Sequence, residues 1–424
     1  MAETRTYWVE TLGCPKNQVD SDKLVGTLEA DGLRVATSPD DADVVVVNTC
    51  AFIEAARQES IDTILALSDG RRPGAELVVT GCMAERYGDE LAAALPEVDR
   101  VSGFGVPVTL GAKPSGVAVP SLDLLNLPRP RSARPWAYVK IAEGCDRSCG
   151  FCAIPSFRGK QRSRSVESIL AEVASLEAGP GGRGVREIVL VAQDLASYGK
   201  DVEGMGAGSI VPLVQAVSAV VQRTRLLYLY PSDLTDELID VIGGPSGVAY
   251  YDLSLQHVSK PLLRRMRRWG DGDRFLRRIA DIRARYPEAA FRSNFIVGYP
   301  GETEADHDQL LRFVEEARLD WVGFFTYSSE AGTYAADLDG AVDEGLMKER
   351  LVELEELQEG ITSSLRRSLV GSTIEVLVDG PGVGRSHRET PEIDGIVEVP
   401  ETLAVGEFHS VTVRGAFGPD LEAA

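Results

Sequence analysis

Three cysteines fall within eight residues, at Cys145, Cys149 and Cys152. Thiolates grouped this closely are soft ligands for a metal. The C-x3-C-x2-C spacing has no fourth cysteine or histidine nearby, and His257, His307, His387 and His409 are all distant in sequence. A structural zinc site calls for four closed ligands, so zinc would have to recruit one of those histidines or keep a position open. Three thiolates on a cubic iron–sulfur cluster leave one iron free for a substrate or cofactor. The other cysteines, Cys14, Cys50 and Cys82, are dispersed, and each comes directly after a strand-like run: TYWVETLG (6–13), DVVVVNT (43–49) and ELVVTG (76–81).

The segments between these runs, KLVGTLEADG (23–32) and IEAARQESIDTILALSDG (53–70), read as helices that each end at a glycine. Alternation of this kind predicts an open α/β sheet of parallel strands. Ligands in such folds bind outside the carboxyl edge of the strands. Cys14, Cys50 and Cys82 should therefore converge there; the alternative is three unrelated small residues at loop starts. LPRPRSARP (127–135) reads as an extended linker. Six further strand candidates follow, at 137–144, 186–194, 225–231, 250–257, 291–300 and 321–328. Helical stretches separate them, among them 166–179 with Ile169, Leu170, Val173 and Leu176 on one face. Six βα units predict an incomplete (β/α) barrel with its chemistry at the carboxyl ends of the strands, and the clustered cysteines follow its first strand. A long amphipathic helix is expected over 346–370, then short strands with glycine turns that imply a small all-β barrel.

Composition sets outer bounds. A chain of 424 residues with 44% hydrophobic and 26% charged residues suggests two or three globular domains. No leader pattern opens the sequence, and 210–221 is far too short to span a bilayer, so a cytoplasmic protein is expected. Six cysteines in that setting argue against a disulfide framework. The net charge of −21 repels polyanions and leans towards a basic protein partner.

With Phe151 just before the last cysteine, EGCDRSCGFC (143–152) resembles the signature of radical S-adenosylmethionine (SAM) enzymes. TLGCPKNQVDSD (11–22), NTCAFIEAARQES (48–60), VAQDLASYGKD (191–201) and IVGYPGET (296–303) extend the resemblance to the methylthiotransferases over nearly the whole chain. GCPKNQVDS, NTCAFI and HRETPEIDGIV (387–397) resemble the RimO-type branch. The resemblance implies two [4Fe-4S] clusters. Cys145, Cys149 and Cys152 would hold the catalytic cluster, whose open iron binds SAM beside Phe151. Cys14, Cys50 and Cys82 would hold a second, sulfur-carrying cluster. It further implies that sulfur and a methyl group are inserted at the β-carbon of an aspartate in ribosomal small-subunit protein twelve, with an external low-potential electron donor. A tRNA adenosine methylthiotransferase is the alternative; an iron–sulfur electron carrier or a zinc-containing RNA-binding protein are rivals of other classes.

Residues 370–424 carry 10 Asp or Glu against Arg385, Arg388 and Arg414, a net of 3 − 10 = −7. A module gripping tRNA phosphates should be basic; an idle acidic face is the other reading of this charge. Gln193, Gln256 and Asn294 are candidate polar groups on the SAM side, and Arg268 is a candidate partner for the SAM carboxylate, although RRMRRWG (264–270) also reads as a solvated helix face. RGKQRSR (158–164) would offset the charge of the adjacent cluster or guide substrate. His257 reads as structural, and GPGGRG (179–184) as a loop. Ser254 stands where the family commonly has a proline, which should alter local backbone stiffness. The expected domains are an amino-terminal α/β domain (1–118), a linker (119–135), a radical SAM barrel (136–365) and a carboxyl-terminal TRAM barrel (366–424).

Overall fold

The computed structural model describes residues 4–104, 124–179, 184–206 and 208–424. The expected domain end at 118, the start of the linker and most of GPGGRG lie outside the described residues. The chain divides into two compact units. The first comprises residues 1–131, 143–146 and 152–164; the second comprises 132–142, 147–151 and 165–424.

In the first unit, β1 (Thr6–Thr11), β2 (Arg34–Val35), β3 (Val44–Thr49), β4 (Glu76–Gly81) and β5 (Arg100–Val101) form one parallel sheet in the order β2-β1-β3-β4-β5. Helices α1 (Pro15–Ala30), α2 (Glu54–Gly70) and α3 (Cys82–Ala94) connect the strands. The run of valines in β3 is explained by burial on both sheet faces. Val44 and Val46 pack with Leu24 and Leu28, whereas Val45 and Val47 pack with Ile64 and Leu77. Helix α1 begins well before the predicted residue 23, because Pro15 at its first position is preorganised for helix and needs no amide partner. Helix α3, broken at Gly88, escaped the reading altogether. The linker residues Pro128 and Arg129 pack on α1, where a Cβ on Gly26 would lie 2.6 Å from the Pro128 carbonyl oxygen.

Short strands β7 (Ala142–Glu143) and β8 (Arg162–Ser163) flank the cysteine loop in sequence, with the one-turn helix α4 (Ile154–Arg158) between them. Six strands of the second unit build its larger barrel. β6 (Trp136–Lys140), β9 (Glu187–Val191) and β10 (Arg223–Leu226) form one parallel sheet; β11 (Tyr250–Gln256), β12 (Ala290–Val297) and β13 (Trp321–Thr326) form another. A parallel bridge, Leu229 to Leu253, joins the sheets. The result is the predicted incomplete barrel, wrapped by α5 (Val166–Glu177), α6 (Ile210–Ser218), α7 (Asp236–Gly243), α8 (Lys260–Arg265), α9 (Gly272–Arg285) and α10 (Glu304–Ala317). Ser254 donates its backbone N–H to the Leu229 carbonyl (2.9 Å) beside this bridge, a bond that a proline there would forfeit.

Helix α11 (Glu344–Ser368) leads into a closed barrel of β14 (Thr373–Gly380), β15 (Val383–Arg385), β16 (Val397–Glu398), β17 (Phe408–Phe417) and β18 (Asp420–Ala423). Its segment 385–394 lies across the amino ends of the large-barrel strands. Tyr138 Oη donates to the Pro391 carbonyl (2.7 Å), Tyr250 Oη to Asp394 (2.6 Å), and Trp321 Nε1 to the Arg388 carbonyl (2.6 Å). Arg292 pairs with Asp394 (2.8 Å), and Glu187 with both Arg225 (2.7 Å) and Arg385 (3.0 Å). The −7 of this module is therefore not all surface charge: Glu389 and Asp394 are spent on Arg366 and Arg292. That weakens the charge argument for a basic partner.

Candidate active site

Strands β1, β3 and β4 are sheet neighbours, so the three dispersed cysteines open on one carboxyl edge. Cys14 caps α1, and its carbonyl accepts the Asn17 N–H at 2.8 Å. Cys50 follows β3 with its N–H on Ser60 Oγ (3.2 Å), and Cys82 is the first residue of α3. Gly13 has φ +95°, and a Cβ there would lie 2.9 Å from the Cys50 sulfur. Only glycine lets the Cys14 loop close on Cys50 in that conformation. The Asn17 amide donates to the carbonyls of Leu12 (2.9 Å) and Thr49 (3.1 Å), fixing the ends of β1 and β3 together.

Arg158 completes this site. Its buried guanidinium donates from Nη2 to the Cys82 sulfur (3.0 Å) and Asn17 Oδ1 (2.7 Å). From Nη1 it donates to Asp20 (3.0 Å) and Glu143 (2.9 Å). The expectation that RGKQRSR serves the adjacent cysteines is thus corrected for its first residue, which serves the dispersed trio. Burial pushes the Cys50 thiol up to about 12, with Cys14 and Cys82 adding to the effect. Burial also raises Cys82, against the pull of Arg158. Burial opposes ionisation of Cys14, but Lys16, Arg158 and two backbone amides outweigh it and hold that thiol below its ordinary range. Among the described residues, no three Cys, His, Asp or Glu side chains are drawn in tightly enough to hold a single metal ion. On a polynuclear cluster each thiolate binds a different iron and the sulfurs stand further apart. The donor set, three convergent thiols beside a fixed cation, suits an anionic iron–sulfur cluster.

In the second unit, Arg268 Nη1 lies 3.4 Å from the Cys149 sulfur and its Nη2 donates to the Ser254 carbonyl. The solvated-face reading of RRMRRWG holds for the exposed Arg264, Arg267 and Trp269 and is corrected for Arg268. α8 ends at Arg265, the chain turns through left-handed Arg267, and Arg268 folds inward. The Tyr230 ring lies between the guanidiniums of Arg268 (4.1 Å) and Arg147 (3.8 Å). Arg147 is held by Asp194 (2.6 Å), Ser197 (3.2 Å) and Asp233. Gly150 donates its N–H to the Met266 carbonyl (2.8 Å), and half-buried Phe151 packs against the barrel core.

Gln193 lies just past β9 and Gln256 ends β11. Gln256 and Tyr228 both adopt left-handed backbone (φ 72° and 64°), a costly conformation for such side chains and one that collects at functional sites. Asn294, within β12, keeps its buried Oδ1 without a hydrogen-bond partner among the described residues. Gly323 on the neighbouring strand leaves room beside it, since a Cβ there would lie 2.8 Å from that oxygen. An orphaned acceptor next to a cradle without a side chain fits a ligand carrying hydrogen-bond donors, as SAM does. His257 is buried and takes the Ser259 N–H on Nδ1 (3.0 Å), in keeping with a structural role. A cleft of about 280 Å³ between β11 and α9, with Trp269 and Arg274 in its wall, contains none of the cysteines. Asn17, Arg147 and Arg158 were not singled out as site residues in the sequence. All three lay in quoted motifs, 11–22, 143–152 and 158–164.

Comparison with known proteins bears on these sites. The uncharacterized protein family UPF0004 matches residues 6–103, the radical SAM superfamily 139–314, and the TRAM domain 370–424. The chain is 44% identical over 404 residues to the ribosomal protein uS12 methylthiotransferase RimO of Moorella thermoacetica, covering 92% of each chain. The chain belongs to the RimO family of radical SAM methylthiotransferases. RimO of Streptomyces coelicolor is 41% identical, covering 100% of this chain and 97% of the relative. Enzymes of this family work with SAM and two [4Fe-4S] clusters. Among solved structures, the radical SAM methyltransferase TsrM of Kitasatospora setae aligns with a TM-score of 0.51 at 13% identity, covering 95% of this chain and 80% of the other, a likeness of fold.

Proposed function

We propose that this protein methylthiolates the β-carbon of an aspartate in ribosomal protein uS12. In this reading Cys145, Cys149 and Cys152 hold the SAM-binding cluster, and Cys14, Cys50 and Cys82 the sulfur-carrying one. The observation that carries it is the convergence of three sequence-distant cysteines at one sheet edge, in a chain that also has the radical SAM loop. The names of its relatives support uS12 as the substrate. When bound, SAM and the clusters supply the hydrogen-abstracting radical, the sulfur and the methyl group, which no protein side chain can provide.

The chain's own residues bind and orient. Arg268 neutralises and positions the Cys149 thiolate. Phe151 and Gln193, with Gln256 held in its strained conformation, would line the SAM side, and Asn294 Oδ1 beside Gly323 would offer SAM an acceptor. Arg147, fixed by Asp194 and Asp233, braces Tyr230 at the carboxyl ends of the strands. An external low-potential donor supplies electrons. No helix among the described residues is long and apolar enough to cross a membrane, and we place the enzyme in the cytoplasm with its ribosomal substrate.

The test is iron and sulfide quantitation on anaerobically purified protein and on the C14A/C50A/C82A variant, with mass analysis of uS12 and tRNA after incubation with SAM and reductant. The variant should lose about half its iron and all uS12 modification. Unchanged iron would remove the second cluster, and modification of tRNA but not uS12 would overturn the substrate assignment.

A further inference from the structure

We propose that Arg158 is the positioning residue of the Cys14–Cys50–Cys82 site, a fixed cation whose hydrogen bond to the Cys82 sulfur raises the reduction potential of the cluster held there. This rests on the assignment of that trio to the second cluster.

Arg158 lies six residues after Cys152 in sequence, yet its side chain is built into the dispersed trio. The guanidinium is 8% exposed for the whole residue, and its fork is divided between two tasks. Nη1 takes the carboxylates of Asp20 and Glu143, which satisfy and anchor that end of the fork. A structural ion pair needs nothing more. Nη2 nevertheless points at the Cys82 sulfur and at Asn17 Oδ1, and Asn17 is the residue that ties the ends of β1 and β3 together. The Phe104 ring lies 4.4 Å from the guanidinium carbon and helps to keep water away.

The planar five-donor fork makes these contacts together; an ammonium has neither the reach nor the planarity. A donor fixed on a cluster thiolate in a dry site favours the reduced, more negative state, because a low local dielectric magnifies its charge. The same bond fixes Cys82 relative to the loops that carry Cys14 and Cys50.

The test uses the full-length chain carrying C145A/C149A/C152A, so that any remaining cluster belongs to the dispersed trio. R158K, R158Q and R158Q/D20N are reconstituted anaerobically in this background. D20N is included because Asp20 is a buried carboxylate paired with Arg158. Fold is followed by circular dichroism, iron and sulfide by quantitation, and the potential by electron paramagnetic resonance during redox titration. R158Q/D20N should fold, keep its cluster and show a one-electron equilibrium at least about tenfold less favourable to reduction, roughly 59 mV, with R158K in between. A folded double variant that binds no cluster would equally assign Arg158 to building the site. An unchanged potential in variants that keep their iron overturns the proposal. So does the failure of all three variants to fold, which would assign Arg158 to packing. A parent that holds no iron would overturn the trio's assignment itself, and this inference with it.

Discussion

Glu187 offers a quantitative test of how the segment 385–394 is fastened to the large barrel. The residue is fully buried at the amino end of β9, with Arg225 at 2.7 Å, Arg385 at 3.0 Å and Arg223 at 3.9 Å. Burial alone would raise its carboxyl, but Arg385, Arg225 and Arg223 reverse that effect and hold it at about 2, against an ordinary 4.5. The effect on Arg385 agrees, since Glu187 and Asp379 keep it charged against the cost of burial. Arg223 is lowered by burial and by its two arginine neighbours, so the productive pairs are with Arg225 and Arg385. The interval from 4.5 to about 2 corresponds to roughly 3 kcal/mol favouring the folded state at neutral pH. Removing one partner of a buried pair costs about 3–5 kcal/mol, a comparable figure. Because the carboxyl is depressed on folding, this stability is complete above about pH 4.5 and disappears as pH falls through about 2. At pH 3 somewhat less than half of it should remain. E187Q should therefore lower the thermal midpoint of the cluster-free protein at pH 7 by roughly 3–5 °C, and by about half as much at pH 3. A midpoint within about 1 °C of the parent at pH 7, or an equal loss at both pH values, would refute the reasoning.

Two further outcomes are expected. G323A places a methyl group against Asn294 Oδ1 and should weaken SAM binding by roughly tenfold, about 1.4 kcal/mol, with little change in melting temperature; isothermal titration that finds unaltered affinity would remove Asn294 from the SAM site. His257, held neutral chiefly by burial at about 4, should show no ring titration between pH 5 and 8 in nuclear magnetic resonance spectra. Its folded value lies below the ordinary 6.5, so its contribution to stability falls as pH drops from about 6.5 to 4; a midpoint near 6.5 in the folded protein would contradict the structure.

The strands were legible because burial writes its pattern locally. The valines of β3 announce a strand covered on both faces, and they are covered by two separate apolar clusters. The start of α1 was harder to see. Its first turn is polar, and the signal is the Cys14-Pro15 cap rather than hydrophobic periodicity. Helix α3 was missed for a related reason, since Gly88 interrupts its pattern. Gln256 was picked out by its place at the end of a strand. Its left-handed backbone was not visible, because an irregularity in strand register produces it.

The sequence by itself determined the two cysteine sets, the strand endings that carry them and the succession of α/β sheet, barrel and small β-barrel. Each of these follows from spacing or from periodicity over a few residues. Only the tertiary structure decided where the charged side chains were spent. Arg158 left its neighbours for Cys82, Arg268 turned inward to Cys149, and Glu389 and Asp394 were used up on buried arginines. A long flexible side chain carries no periodic signal, and its partner is set by which chain segments meet and by the cost of leaving a buried charge unpaired.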